Sequence, residues 1–312
     1  MQVKISIIIP AFNVGQYIEK TIESTLNQTY GNYEVIVVND GSKDETGNII
    51  DRYAAENPKL QAIHQENGGV MSARLKGVEH SKGDWVMFLD GDDRLPNDSL
   101  AILCSHLSDS VDIVLGKIDY INQEGEIIGG EFLGVEGLLN QKKYARIISK
   151  RPKALHGTLY RKSMLKGVTV DRSIVNNEDQ IFNIFLTSRV RSVYITDKVV
   201  HLYLVRGGSV SKKKYNADYW YGMIAYVRDH YKQYQVEDVI YRRYILSRIC
   251  SIARNNHYSH LDFDNPVFDH LRDLEFSTKY GLYGNMALVV IKHHSNVILS
   301  LIQYHPKAFL KK

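Results

Sequence analysis

Cysteine is scarce in this chain of 312 residues. The two cysteines, Cys104 and Cys250, stand far apart and show no metal-ligand spacing. Their scarcity argues against both a disulfide framework and a zinc site.

Long hydrophobic runs are missing too. A membrane-spanning helix needs about 18–20 mostly apolar residues, and the nearest approach, which begins near Met286, is broken by the polar segment 292–296. The N-terminal stretch MQVKISIIIPAF carries no small-residue cleavage site, so it is typical of a first strand rather than a signal peptide. We therefore expect a cytoplasmic protein.

Repeats, low-complexity segments and nucleic-acid-binding motifs are also lacking. The arginines of the last third do not alternate with aromatic residues in a stacking pattern, so no nucleic-acid partner is expected. With 44% hydrophobic and 24% charged residues, the composition is that of an ordinary globular protein long enough to bury a sizeable core.

Strand and helix signals alternate through the first ~120 residues, which favours an α/β fold with a mostly parallel sheet and flanking helices. Ser42 and Glu45 fit a capping box at the start of one helix. The segments RSVYIT and VVHLYLV predict two further strands, and the turn-rich NQEGE predicts a hairpin. From Asn216 the sequence becomes helical and rich in tyrosine, so we predict an α/β domain over 1–215 and a helical extension over 216–312.

The segment FLDGDD, residues 88–93, places three carboxylates directly behind a buried strand. An EF-hand counted from Asp90 would need glycine and a carboxylate where Leu95 and Ala101 stand, so that interpretation fails. A haloacid-type phosphatase is disfavoured because its motif normally follows the first strand. An acidic turn and a metal–nucleotide site both remain open, the latter because open α/β sheets bind ligands at the carboxyl ends of their strands.

Several motifs in one order carry a resemblance to a known family. They are SIIIPAFNVGQYIEKTIESTLNQTYGNYEVIVVNDGSKDET, NGGVMSARLKG, GDWVMFLDGDD and NNEDQIF. Over residues 3–212 the chain resembles the family 2 glycosyltransferases of GT-A fold, a Rossmann-like architecture. The resemblance implies an inverting transfer from a nucleotide sugar, most often a UDP-sugar, with Mn²⁺ or Mg²⁺, and a β-linked product. It divides 1–215 into a nucleotide-binding part over about 1–120 and an acceptor part over about 121–215.

The resemblance also implies roles for individual residues. The metal would be bound by Asp92 with support from Asp93, and the general base would be Asp179, with Glu178 orienting the acceptor. The nucleotide sugar would be bound by ten residues: Pro10, Ala11, Phe12, Asn13, Asp40, Asn67, Arg74, Asp90, Gly91 and Arg206.

Two positions depart from the family pattern. Arg206 stands near a frequent histidine and, because arginine does not ligate metals, is expected to grip phosphate. Asn177 replaces the usual glycine before the Glu-Asp pair. Single histidines beside strands are more often structural than functional, so His156 and His201 are expected to be structural. Contact of the segment ALHGTLYRKSML, which contains His156, with the acceptor is the less favoured alternative.

The favoured function is therefore addition of a sugar to a glycan or lipid-linked glycan during assembly of a cell-surface polysaccharide. The alternatives are a metal-dependent nucleotide or phosphate-ester hydrolase and a non-catalytic sugar-nucleotide-binding protein. The segment Ser211–Asn216 can be a solvated loop or a phosphate-closing lid. The apolar and lysine-bearing tail 285–312 suits peripheral attachment to an anionic membrane, with plain packing or oligomer formation as the alternative.

Overall fold

The computed structural model describes residues 3–206, 215–254 and 265–272, with side chains at all of these except 250–254. The predicted tail 285–312 lies outside the described residues, as does most of the predicted lid. Among the described helices, none has the length and apolar character needed to cross a membrane.

The strands are β1 (Ile5–Ala11), β2 (Tyr33–Asn39), β3 (Leu60–His64), β4 (Trp85–Phe88), β5 (Ile113–Ile121), β6 (Ile127–Glu131), β7 (Gly137–Asn140), β8 (Thr158–Arg161) and β9 (Ser192–Leu204). The α-helices are α1 (Ile18–Leu26), α2 (Thr46–Glu56), α3 (Val70–His80), α4 (Ser99–Cys104), α5 (Gln141–Lys150), α6 (Glu178–Leu186), α7 (Ala217–His230), α8 (Asp238–Arg254) and α9 (Asp269–Arg272).

Within the described residues, the nine strands form one sheet in the order β3-β2-β1-β4-β8-β5-β9-β7, with β6 paired to β5. Strands β1 to β4 are parallel to one another, whereas β8 runs antiparallel between β4 and β5. The strand order reverses at β1, since β2 lies on one side and β4 on the other. Ligands of open α/β sheets bind in the crevice at such a reversal.

The core lies on both faces of β1, whose seven residues are all buried. Helices α1, α2 and α4 pack on the face that carries Ile7 and Ile9, because their apolar residues repeat at helical spacing. Helix α3 covers the other face at close range, since a Cβ at Gly77 would lie only 2.3 Å from the Ile8 side chain. This close approach brings Arg74, one turn earlier on α3, to the carboxyl ends of the strands.

Two local predictions are wrong. The segments RSVYIT and VVHLYLV form the single strand β9, because its register on β5 shifts at Leu115 to Ile118 without ending the pairing. The capping box is absent: the Ser42 hydroxyl accepts from the Asn13 N–H, and Asp44 accepts from the N–H of Thr46, where α2 begins.

The predicted hairpin is confirmed, with β5 and β6 antiparallel around a turn at Asn122–Glu126. The chain divides into two compact units, one of 1–144 and 153–211 and the other of 145–152 and 212–312. The sequence prediction assigned 145–152 to the first domain. The described part of 216–312 contains α7, α8 and the short α9.

Candidate active site

The loop after β1 is fastened to the loop after β2. Asn13 has a left-handed backbone (φ 51°) and donates its N–H to Ser42, while its side-chain oxygen accepts from the Lys43 N–H. Asparagine tolerates this backbone better than most residues. The fastened loop leaves Phe12 47% exposed, so an aromatic ring is available beside the reversal point of the sheet.

Asp40, at the end of β2, holds a second loop. Its buried carboxylate accepts hydrogen bonds from the backbone N–H groups of Gly68 and Gly69 and from the Gln65 amide. The adjacent Asn67 is exposed. Asp40 therefore shapes the loop that carries Asn67, and a direct contact between Asp40 and a base stays a prediction.

The acidic cluster follows β4, and each of its carboxylates has a basic partner. Asp90 accepts from the Arg74 guanidinium at 2.7 Å and pairs with His156 at 3.0 Å. Asp92 accepts from Arg206 Nε at 2.6 Å. Arg74, His156 and Arg206 thus offset part of the repulsion within the cluster.

Asp93 is the most buried member of the cluster and links it to β9. Its Oδ2 pairs with His201 Nε2 at 2.8 Å, and its Oδ1 accepts from the Leu204 N–H. The other ring nitrogen of His201 accepts from the Gly157 N–H, so His201 is a neutral imidazole that donates to Asp93. Its burial also lowers the pKa of His201, against the influence of Asp93.

Gly91 allows a close approach of two loops. A Cβ there would lie 3.0 Å from Val14 and 3.2 Å from the Pro10 carbonyl oxygen. The Thr21 hydroxyl also donates to the Gly91 carbonyl. Glycine thus lets the acidic cluster lie directly against the loop that begins at Pro10.

The predicted base residues begin α6, and Arg74 joins them to the acidic cluster. Arg74 is only 2% exposed and lies 3.5 Å from Glu178 while it holds Asp90. The preceding Asn177 has a left-handed backbone (φ 68°). This conformation favours glycine and is tolerated by asparagine, which accounts for the residue that replaces the family's glycine.

The pKa shifts reveal an excess of negative charge. Burial and the Asp93 and Asp90 carboxylates raise the pKa of Asp92 to about 6, against the opposing effect of Arg206. Burial and Asp179 raise the pKa of Glu178 to about 7, although Arg74 lowers it. Burial likewise raises the pKa of Asp179, against His156 and Arg74. Five carboxylates therefore share fewer positive charges than they need.

Asp90 and His156 form an ionised pair beside Arg74. Burial raises the pKa of Asp90, but Arg74 and His156 outweigh burial, so the pKa lies well below its usual range. Burial lowers the pKa of His156, but Asp90 outweighs it and raises the pKa to about 9. His156 is therefore protonated at neutral pH.

The expectation that His156 and His201 are only structural missed their position in the site. Together with Asp93, they offer one ligand atom each, all within 4.8 Å of one another, which is a group able to hold a metal. Their rings also stack with centroids 5.1 Å apart. The sequence does not reveal this position, because His156 reaches Asp90 only through the pairing of β8 with β4, and the two residues are 66 positions apart.

A groove of the described residues lies elsewhere. It has a volume of about 850 Å³ and lies around Ser81–Asp84, which precede β4, and around Lys162 to Thr169. None of the predicted site residues lines it, and it is at the opposite end of β4 from the acidic cluster.

Comparison with known proteins identifies the family. The model of glycosyl transferase family 2 matches residues 6–167. The chain belongs to this family. It is a glycosyltransferase, which confirms the predicted class of enzyme.

Similar proteins agree with this assignment. The glycosyltransferase is 28% identical to the uncharacterized glycosyltransferase EpsJ of Bacillus subtilis over 79% of this chain and 72% of EpsJ. It is 30% identical to the glycosyltransferase GlyA of Streptococcus pneumoniae over 67% of this chain, which corresponds to only 32% of GlyA.

Solved structures confirm the GT-A fold. S. aureus TarS 1–349 in complex with UDP-GlcNAc aligns with a TM-score of 0.71 at 18% identity, over 98% of this chain and 92% of that chain. The mannosyltransferase PcManGT from Pyrobaculum calidifontis, in complex with GDP-Man and Mn²⁺, aligns with a TM-score of 0.55 at 14% identity, over 100% and 89% of the two chains. At these identities the likeness concerns the fold alone.

Proposed function

We propose that this glycosyltransferase transfers the sugar of a UDP-sugar to a hydroxyl of a glycan or lipid-linked glycan. The transfer uses Mn²⁺ or Mg²⁺, inverts the anomeric centre to a β-linkage and serves the assembly of a cell-surface polysaccharide. One observation carries the proposal: buried Arg74 contacts both Asp90 and Glu178, so the candidate nucleotide site and the candidate base adjoin.

Nucleotide binding is assigned to the carboxyl ends of β1, β2 and β4. The exposed Phe12 ring offers a stacking surface for the base. The loops fastened by Asn13 and Asp40 form the walls of the nucleoside pocket, and Asp90 accepts from the ribose. Arg206 reaches the diphosphate, because a guanidinium is well suited to phosphate oxygens. The TarS and PcManGT structures contain UDP-GlcNAc and GDP-Man, and these diphosphate nucleotides support the class of donor.

The charge balance of the site fits a divalent cation. Arg74, Arg206 and protonated His156 do not neutralise five carboxylates, and a nucleotide diphosphate brings further negative charge. Asp92 is partly exposed and, unlike Asp90, is not held by both Arg74 and His156. It would hold the ion, since carboxylate oxygens suit Mg²⁺ and Mn²⁺. Asp93 supports the site through His201. The group of Asp93, His156 and His201 is the alternative holder, and the ion would then displace the proton of His156.

The reaction forms one bond and breaks one. The acceptor oxygen bonds to the anomeric carbon while the bond from that carbon to the diphosphate oxygen breaks, through an oxocarbenium-like transition state. Asp179 takes the proton of the acceptor hydroxyl on the face opposite the diphosphate, and its raised pKa suits that task. Glu178, oriented by Arg74, positions the acceptor. A bound divalent cation would neutralise the departing diphosphate as a Lewis acid.

A thermal-shift screen tests the nucleotide site. We expect UDP-sugars with Mn²⁺ to raise the melting temperature, since a ligand at 100 times its Kd adds about 2.7 kcal/mol of stability. UMP, which lacks the second phosphate, is the matched control and should stabilise less. If no nucleotide stabilises the protein with or without Mn²⁺, the proposed donor site is wrong.

We also propose a cytoplasmic enzyme that attaches to the inner membrane face through residues 285–312. The supporting feature is the sequence of that tail, with its apolar run and terminal lysines. Sedimentation with liposomes containing about one-third anionic lipid, a fraction chosen to give a strong surface potential, tests it with the full chain and with a chain ending at 284. Equal sedimentation of the two chains would contradict membrane attachment by the tail.

A further inference from the structure

A second group of side chains continues from the reaction centre along the sheet. Tyr203 on β9 lies directly opposite Tyr120 on β5 in the parallel ladder. Their rings meet edge to face with centroids 5.7 Å apart. The Tyr203 ring also lies 5.4 Å from the ring of His156, which holds Asp90. The two tyrosines therefore adjoin the candidate active site without a gap.

The far end of this group is a carboxylate fixed from two sides. The Tyr120 hydroxyl donates to Glu131 Oε2 at 3.2 Å, and Lys153 Nζ lies 3.2 Å from Glu131 Oε1. Lys153 is only 3% exposed, whereas the Glu131 side chain is 43% exposed. Lysine is rarely buried this deeply unless it is paired. Lys153 therefore fixes the Glu131 carboxylate, whose side chain stays partly open to solvent.

Strand β6 leaves the tyrosine surface open. The residue opposite Tyr120 on β6 is Gly129, and a Cβ there would lie 3.5 Å from the Tyr120 ring. Any larger side chain at this position would extend over the ring. Because glycine has no side chain to cover the ring, Tyr120 is only half-buried although β5 is paired on both sides, with β6 and β9.

An aromatic surface that ends in a fixed carboxylate matches the chemistry of a sugar. The face of an aromatic ring carries partial negative charge and attracts the C–H groups on the apolar face of a pyranose. The hydroxyl groups at the edge of a pyranose donate to a carboxylate, and hydrogen bonds to a charged group are the stronger ones. A phosphate or nucleotide would instead be repelled by Glu131.

We propose that Tyr120, Tyr203 and Glu131 form the subsite that binds the terminal sugar of the acceptor. This inference rests on the proposed function, since it takes the centre around Asp90 and Asp179 as the place of transfer. The subsite selects a neutral sugar ring, and Lys153 positions Glu131 within it.

Saturation-transfer NMR with methyl β-D-glucopyranoside, methyl β-D-galactopyranoside and methyl N-acetyl-β-D-glucosaminide tests the subsite, with UDP and Mn²⁺ present. We expect at least one glycoside to receive saturation at its ring C–H protons. Glu131→Gln should raise the apparent Kd of that glycoside about fivefold, the effect of one ordinary net hydrogen bond. Tyr120→Leu should reduce the saturation of the C–H protons without changing the affinity for UDP.

Two matched variants serve as controls. Glu126→Gln changes a carboxylate of the same hairpin that bonds to Asn122, and Tyr194→Leu changes a tyrosine of β9 that stacks on His106. Both should bind the glycoside like the unaltered protein. The subsite is overturned if the unaltered protein binds none of the three glycosides, or if Glu131→Gln and Tyr120→Leu bind them with unchanged affinity.

Calorimetry with UDP separates this inference from the proposed function. If the unaltered protein fails to bind UDP, the proposed function fails and the subsite with it. If UDP is bound equally by all variants while glycoside binding does not depend on Tyr120 or Glu131, only the subsite fails. A loss of UDP affinity in both variants would reveal general structural damage and also overturn it.

Discussion

The two sides of the proposed reaction centre, a nucleotide side and an acceptor side, are built by different kinds of sheet. On the nucleotide side, the ends of β1, β2 and β4, parallel strands each deliver their polar residues directly after the strand ends. On the acceptor side, formed by α6, β5, β8 and β9, the strand β8 pairs antiparallel with both of its neighbours, whereas β5 and β9 are parallel. The contacts between the sides join residues 66 to 114 positions apart. Thus the chemistry of the centre depends on a few long-range pairs.

The largest effect is expected on the acceptor side. Asp179→Asn removes the proposed base and should lower kcat about 10³-fold, within the usual range for general base catalysis, with unchanged UDP affinity. Asp197→Asn, an exposed carboxylate paired with Lys198, is the control. Transfer assays check both variants, and near-normal kcat in Asp179→Asn would contradict the assignment.

Arg74, which joins the two sides, should be costly to remove. Arg74→Met leaves Asp90 and Glu178 without their shared cation, and breaking a buried pair costs about 3–5 kcal/mol of unfolding free energy. Arg52→Met breaks the exposed pair with Glu19 and should cost at most about 1 kcal/mol. Urea unfolding measures the free energy of unfolding of both variants. Equal losses would show that burial does not make the Arg74 pairs more important for stability than the Arg52 pair.

Two adjacent aspartates should separate metal binding from folding. Asp92→Asn should weaken Mn²⁺ binding at least about tenfold, since even residues that only orient a metal's ligands contribute that much to affinity, with little loss of stability. Asp93→Asn leaves buried His201 poorly paired and should cost about 1–3 kcal/mol, with a smaller effect on Mn²⁺. Mn²⁺ titration followed by electron paramagnetic resonance decides this, and the reverse result would assign the ion to the group of Asp93, His156 and His201.

The smallest effect is a pH dependence of stability in the metal-free protein. The pKa of Glu178 is raised from 4.5 to about 7, so its favourable contribution is complete below pH 4.5 and is lost as pH rises through 7. Glu178→Gln should therefore flatten the decline in unfolding free energy between pH 5 and 7. Urea unfolding at several pH values checks this, and parallel curves for the two proteins would contradict it.

The same contrast explains what could be predicted from sequence. The parallel strands of the nucleotide side were predictable because each is a short apolar run followed by its polar residues, as FLDGDD shows. The hairpin after β5 was equally visible in NQEGE. Local patterns do not, however, report which distant strands pair, so the insertion of β8 and the role of His156 were not predictable.

Individual contacts show the same limit. Asp40 was predicted to bind the nucleotide sugar and Asp93 to support the metal site, and the sequence did not reveal that both carboxylates accept backbone N–H groups from loops or strands distant in sequence. Arg206 was expected to grip phosphate, and the structure pairs it with Asp92 across 114 positions. Residue type indicated the charge required, whereas the partner depended on the tertiary fold.

The hydrogen bonds of Asp93 also limit which sequence changes can alter the proposed acceptor subsite. They tie His201 and the backbone at Leu204, and the neighbouring Arg94 pairs with Leu202, so the register of β9 is fixed at three points from His201 to Leu204. Inserting one residue earlier in β9 would turn Tyr203 to the opposite face of the sheet. We therefore expect divergence among related enzymes to proceed by substitution at such positions and by changes of length in the β5–β6 hairpin, whose exposed tip lies beyond these anchors.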